Sequence, residues 1–280
     1  MEWLILTIAG LVAGIMAGFL GIGGGTVLVP ILIALGHTTV EAVATSSLSI
    51  VITSLSGSIQ NWRMGYLDLQ RVLALGFPAL ATAQLGVWLV NLSKQFSPAI
   101  LTAAFAAFLL INIGLVSWRN HIVAQQQRRQ AEIAQASDLA DLADLAPVDR
   151  PDVATKRVDP LLARVLTGGF AGLLAGVFGI GGGIILVPLQ MLLLHEPIKM
   201  AIQTSLGVII MTALSASVGH AVSGNILPIA GLLLGLGGLF GAQISTRLLP
   251  KLPDEVVSIL FRSFLGLMSI YLFWKAWQQW

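Results

Sequence analysis

The residues of this chain that could do chemistry are glycines, hydroxyls and amides set inside apolar segments. Gly21-Ile22-Gly23-Gly24-Gly25 recurs as Gly179-Ile180-Gly181-Gly182-Gly183, and Val29-Pro30 and Val187-Pro188 follow at the same distance. Glycine in a helix interior costs about 1 kcal/mol relative to alanine, so such a cluster breaks a helix rather than continuing it. In a bilayer the break leaves backbone N–H and C=O groups that lipid cannot satisfy. It is tolerated only where it is buried in protein or lines a wet cavity. The apolar piece that follows, Thr26 to Leu35 in the first copy, is too short to cross a bilayer at 1.5 Å per residue and reads as a half-helix, interrupted again at Pro30. A helix N-terminus carries about half a positive charge and unpaired N–H donors, which can hold an anion without lysine or arginine.

The candidate substrate-binding residues are therefore Gly21, Gly23, Gly24, Gly25 and Thr26 at the first break and Gly179, Gly181, Gly182 and Gly183 at the second. Thr45, Ser46 and Ser47 follow the first, and Gln203, Thr204 and Ser205 follow the second. Gln84 and Gln243 occupy matching depths in otherwise apolar spans, where an amide is costly without partners. Each of these has a plainer reading. The glycines can serve close helix packing, the hydroxyls can bond back to their own helix, and the amides can join two helices.

Catalytic and metal chemistry have no carriers. The spans hold no carboxylate pair, no His-x-x-x-His and no triad, and Glu2, Glu41, Asp68, Glu196, Asp254 and Glu255 all fall at segment ends. The absence of cysteine removes disulfides and thiolate metal sites. No cofactor is expected, and the chain does not read as an enzyme. Gly18-x-x-Gly21-x-Gly23 lacks the hydrophilic strand-helix context of a nucleotide loop. Arg262, inside the last apolar segment, reads as a side chain snorkelling to the interface or as a functional charge. Asn61, Arg63 and His220 close the second spans, where they can anchor at the interface, gate a path or attract an anion. His37 and His195 match in loops.

The elements that position these groups are transmembrane helices. Of 280 residues 56% are hydrophobic and 10% charged, and mean hydropathy is +0.88. Trp3 to Leu20, Val40 to Ile59, Leu69 to Val90 and Pro98 to Trp118 approach or exceed the ~20 residues that span hydrocarbon, and counterparts follow Leu161. The pI of about 9.2 rests on a formal charge of only +2. No basic patch with interleaved aromatics is present, so no nucleic-acid partner is expected. Met1-Glu2-Trp3 lacks the basic start of a cleavable signal, and the first segment reads as retained.

A shift of 158 superposes the two glycine runs, Pro30 on Pro188, His37 on His195 and Ser46-Ser47-Leu48 on Thr204-Ser205-Leu206. One residue more places Gly65 on Gly224, Gln84 on Gln243, Phe105 on Phe264 and Trp118 on Trp277. The expected fold is all-α and polytopic, with about eight transmembrane segments in two homologous four-segment repeats whose first helices are broken. Residues 1–118 form the first repeat and 161–280 the second. Residues 119–160, with the triplet run Asp138 to Ala146, form a polar tether between them. Internal duplication with a midplane site is a common plan of secondary transporters.

On these residues the chain resembles the sulfite exporter TauE/SafE family, also called the TSUP superfamily of membrane transporters. The resemblance rests on Gly18 to Gly25 with Val29-Pro30, Gly176 to Gly183 with Val187-Pro188, the Thr-Ser pairs after each, and the Gly65-Tyr66-Leu67-Asp68 turn. It implies transport, usually outward, of small and often sulfur-containing anions such as sulfite or organosulfonates. Two features depart from it: the long linker, and Gln203 where the first half has Thr45. The expected partners are a small anionic substrate, a coupling proton or other ion, and the lipid bilayer. The rival readings are a non-transporting membrane subunit or assembly factor, and an anion channel.

Charge sets the orientation. If each first segment crosses once, the halves are parallel, and outside the linker Arg63, Arg71 and Lys275 face Lys94, Lys199, Arg247 and Lys251. If it enters, breaks and returns through its half-helix, the halves are inverted, and Arg63, Arg71, Lys199, Arg247 and Lys251 face only Lys94 and Lys275. The positive-inside rule favours the second arrangement, with the linker cytoplasmic and both termini outside, as a multi-pass protein of a bacterial inner membrane. Single cysteines at Ser93 and Ser223 are then expected to react with an impermeant external thiol reagent, and one at Ser137 is not. Labelling of Ser93 and Ser223 from opposite faces would restore the parallel arrangement.

Overall fold

The computed structural model describes residues 2–92, 103–104, 106–114, 116–118, 125, 160–178 and 182–278. The tether expected over 119–160 lies almost wholly outside them, as do Gly179 and Gly181. The helices are α1 (Glu2–Leu20), α2 (Gly25–Ala34), α3 (Thr39–Arg63), α4 (Leu69–Leu92), α5 (Pro160–Phe178), α6 (Gly183–Leu193), α7 (Ile198–Val222), α8 (Pro228–Leu248) and α9 (Asp254–Gln278). A 3-10 turn, Leu249–Lys251, joins α8 to α9, and residues 106–114 and 116–118 are also helical. No strand occurs among the described residues. Five of the described helices are long and apolar enough to cross a membrane: Trp3–Leu20, Val40–Arg63, Ile198–Val222, Pro228–Lys251 and Asp254–Gln278.

Local chemistry sets the ends. Thr38 and Glu41 form a capping box at the start of α3, each side chain accepting from the other's backbone N–H at 3.3 and 3.0 Å. Gly65 ends α3 in the left-handed region, so that Tyr66 N–H donates to Asn61 O, and Gly224 ends α7 the same way, with Asn225 N–H donating to His220 O. The half-helices are present as α2 and α6, but neither proline interrupts its helix. Pro30 and Pro188 each remove one N–H that would have reached back into the first turn, so a single carbonyl is released and the ladder continues.

Helices in a bilayer gain little from apolar contact alone and associate through close approach of small residues. Gly10, Gly14 and Gly18 of α1 lie against Leu234, Gly238 and Ser245 of α8, so these helices run side by side in the same sense. Gly168 and Gly172 of α5 lie against the carbonyls of Leu75 and Ala79 of α4 in the same manner, and Thr82 Oγ1 donates to Gly169 O at 2.6 Å. In α3, Leu48, Ile52 and Thr53 follow Gly231, Gly235 and Gly238 of α8 in parallel. Against α7, however, α3 runs in the opposite sense: Ile50 clusters with Ile209, and Gly57 faces Leu206. The main core gathers around α6, which is buried from Gly183 to Met191, with Leu20, Ile22, Leu75, Ile202 and Phe261.

The start of α4, the α6–α7 connection and the α8–α9 turn come together at one end of the molecule. Arg71 lies 3.5 Å from Glu196, Lys199 lies 2.8 Å from Asp254, and Lys199 Nζ donates to Pro250 O. Arg71 and Lys199 therefore lie at the same end of the molecule.

A Cβ on Gly14 would run into the Gly238 carbonyl, whereas one on Gly219 would meet open space. Gly14→Ala is expected to cost about 1–3 kcal/mol through helix separation. Gly219→Ala is expected to stay within about 1 kcal/mol of wild type and to favour the folded state. Thermal unfolding of both variants in detergent checks the pair.

Candidate membrane site at the glycine breaks

The chain leaves α1 through three glycines with positive φ: Gly21 at 67°, Gly23 at 73° and Gly24 at 83°. An L side chain is strained at such angles, which is why glycine recurs here. Gly24 is also the N-cap of α2, and its carbonyl accepts from the N–H groups of Val27 and Leu28 at 3.0 and 3.1 Å. Gly182 caps α6 with nearly the same angles, φ 81° and ψ −20° against 83° and −13°, and accepts from Ile185 and Leu186. Both half-helices thus begin at a left-handed glycine, with first-turn N–H groups that have no helical acceptor.

The two breaks meet in space. A Cβ on Gly183 would stand 2.6 Å from the Gly21 carbonyl oxygen and 2.7 Å from Ile22 Cα. The Gly21 carbonyl, which no helix satisfies, accepts from Ser205 Oγ at 2.8 Å. Ile50 and Ile209 fill the space alongside. Added side chains at Gly23 would touch both, one at Gly25 would meet Ile50, and one at Gly183 would meet Ile209. Next to Gly182 a small apolar crevice opens between Ala79, Ala171, Leu186 and Ile209. Thr26, in the first turn of α2, is only 7% exposed, and its Oγ1 has no partner among the described residues. Ile184 takes its place in α6.

The candidate residues divide accordingly. Gly21, Gly23, Gly24, Gly25, Thr26, Gly182, Gly183 and Ser205 come together at the meeting point. Thr45 is turned to α8, where its Oγ1 accepts from Leu227 N–H at 3.1 Å. Ser46 and Ser47 both donate back to Val43 O, the local bond that competes with any outside partner. Gln84 is exposed and donates to Ser215 Oγ, and Gln243 donates to the carbonyl and hydroxyl of Ser56. These amides join α4 to α7 and α8 to α3. Gln203 and Thr204 are buried on α7. Arg262 lies between helices, donating to Ser258 O and Ser117 Oγ. Ile50 and Ile209 are part of the site that residue-type reasoning passed over. The repeat contained the signal, since a shift of 159 superposes them.

Among the described residues no group of three His, Cys, Asp or Glu side chains could hold a metal ion. What the arrangement offers is backbone N–H donors and hydroxyls at a protein-enclosed break between apolar walls, chemistry suited to binding rather than to bond making.

Broken helices enclosed by apolar spanning helices define an all-helical, multi-pass membrane protein. The chain belongs to the family described as Sulfite exporter TauE/SafE, whose profile matches residues 6–272. It is 28% identical over 285 residues to the "Probable membrane transporter protein YunE" of Bacillus subtilis, covering 99% of each chain. It is 25% identical over 284 residues to a "Probable membrane transporter protein" of Methanocaldococcus jannaschii, covering 96% of this chain and 94% of that one. No solved structure matches it. The family is described as an exporter and these relatives are named as probable membrane transporters, not as enzymes.

Ser205→Ala removes the donor to the Gly21 carbonyl and is expected to cost about 1 kcal/mol or somewhat more. Ser46→Ala removes only a local back-bond and is expected to change stability by less than about 0.5 kcal/mol. Unfolding of the two purified variants separates an interhelical from a local role.

Proposed function

We propose that this protein is a secondary transporter, working as an exporter, of small anions such as sulfite or organosulfonates, bound at the two glycine breaks. The observation that carries this reading is the meeting of two glycine-capped half-helices whose first-turn N–H groups lack helical acceptors. Two such N-termini supply about one unit of positive potential without a basic side chain. The acidic residues at segment ends leave that potential uncompensated in the membrane. The family resemblance supplies the sulfur-containing class of anion.

In this reading residues 1–118 and 161–280 are inverted repeats of about eight transmembrane segments in all, joined by a cytoplasmic tether. The opposite senses of α3 and α7 support it, and so does the reciprocal packing of α1 on α8 and of α4 on α5. The substrate sits between the repeats, and rocking of one against the other exposes it to each side in turn. The coupling ion is a proton or another ion.

Purified protein in liposomes is expected to move sulfite or a sulfonate saturably under an imposed pH gradient. Preference for a simple cation over every anion tested would overturn the reading. Gly23→Leu and Gly181→Leu are expected to abolish flux while leaving membrane insertion intact, because leucine improves hydropathy but crowds the break. Wild-type flux in both would move the site elsewhere and favour a packing role for the glycines.

A further inference from the structure

Beyond the glycine breaks, the second half of α3 holds buried polar groups that nothing yet described uses. Ser54, Ser58 and Asn61 follow Ile50 at i+4, i+8 and i+11, which places them on one helix face. That face begins at Ile50 beside Gly23 and Gly25 and runs to the end where α3 passes into α4. All three side chains are more than nine-tenths buried, and Asn61 is 0% exposed. The hydroxyls of Ser54 and Ser58, and both the oxygen and the nitrogen of the Asn61 amide, have no partner among the described residues. A buried polar group without a partner costs about 1–3 kcal/mol. Groups buried at that cost call for partners that the described residues do not supply.

A shift of 159 carries Ser54, Ser58 and Asn61 onto Ala213, Ser217 and His220 of α7. Ser217 is also buried with an unpartnered hydroxyl, and His220 is part-exposed. Because α7 runs opposite to α3, this second face leads from the breaks toward the other end of the molecule. The ends differ. Where the α3 face finishes, Arg71 in the first turn of α4 reaches Glu196 in the α6–α7 connection at 3.5 Å and Asp68 at 3.0 Å, and it donates to Met200 Sδ. The shift of 159 places Ala230 at the position of Arg71, and the shift of 158 that pairs His37 with His195 places Thr38 at that of Glu196, so the tie has no counterpart at the other end.

We propose that the Ser54–Ser58–Asn61 face of α3 is the polar lining along which the anion passes between the glycine breaks and the linker-side end, and that the Arg71–Glu196 pair closes its mouth. The proposal rests on the anion-transport reading above. Neutral hydroxyl and amide donors solvate an anion in passage, where a lysine or arginine would hold it. The pair joins an element of the first half to one of the second across the mouth, so opening requires breaking it. Burial pushes the Glu196 carboxyl above the usual carboxylate range, with Arg71 and Arg164 pulling it down and Asp68 pushing it further up. Lys199 next to it is engaged by Asp254, and His195 precedes it in the connection. A raised carboxylate gains its proton as pH falls toward that raised value, so acidification discharges Glu196 and loosens the mouth.

The cysteine-free, full-length chain carrying Ser58→Cys tests this in vesicles, with an impermeant thiol reagent applied to the linker face. Labelling is expected to be slow in the otherwise unchanged chain and about tenfold faster when Arg71→Gln or Glu196→Gln is added. It is also expected to rise on acidification only while Glu196 is present. Equal labelling in all backgrounds, fast or slow, overturns the closed mouth. Asn61→Leu is expected to lower sulfite flux at least about tenfold while leaving sulfite binding to the purified protein within about threefold. Unchanged flux overturns the route. The labelling uses no substrate, so absence of sulfite flux from the parent protein would count against the transport reading while leaving the accessibility result to stand or fall by itself.

Discussion

Every backbone polar group placed in hydrocarbon must find a partner within the protein, and this constraint organises the molecule. It is met trivially along the spanning helices and met with difficulty at the ends of α1 and the starts of α2 and α6. There, left-handed glycines fold the chain back so that one carbonyl serves two N–H groups, and Ser205 is brought from α7 to the exposed carbonyl of Gly21. The breaks persist because they lie against each other, enclosed by α3 and α7, rather than against lipid. The same enclosure concentrates the remaining N–H donors at one place.

Holding two breaks in contact requires a rigid surround. Backbone-to-backbone approach of α1 to α8 and of α4 to α5 supplies it, because glycine and alanine let helices close until carbonyls meet Cα atoms. Each pair joins the two halves of the sequence. Neither glycine run reaches the other from its own segment alone, and the candidate site is a property of the assembled halves. The amide bonds of Gln84 and Gln243 belong to this frame rather than to the breaks.

The halves agree where geometry is demanding and differ where chemistry is. Gly24 and Gly182 share their backbone angles, and Gly65 and Gly224 share their turn. Thr26 takes the position of Ile184, Thr38 that of Glu196, Asn61 that of His220, and Arg71 that of Ala230. A duplicated frame fixes where the chain bends, while single side chains make one end of the molecule unlike the other. The buried polar face of α3 runs toward the end where Arg71 pairs with Glu196.

Much of this was legible in the amino-acid sequence because it depends on local physics. Runs of apolar residues set the spans, clustered glycines set the breaks, and the spacing of two copies paired positions in the first half with positions in the second. The basic residues at span ends weighed one orientation against another through their distribution alone. Single-residue roles were not legible in the same way. Thr45, Ser46, Ser47 and Ser205 look alike in sequence, yet one accepts from α8, two bond back to their own helix and one reaches the opposite break. Pro30 looked like a second interruption and is none, because its missing N–H falls where only the first turn loses a bond. Ile50 and Ile209 resemble any other span residues until α3 and α7 cross. Sequence by itself determined where the backbone must bend and which segments must be buried, since these follow from propensity and hydropathy summed over neighbours. Only the tertiary structure decided which hydroxyl meets which carbonyl, because a side chain's partner is set by the crossing of helices far apart in the chain.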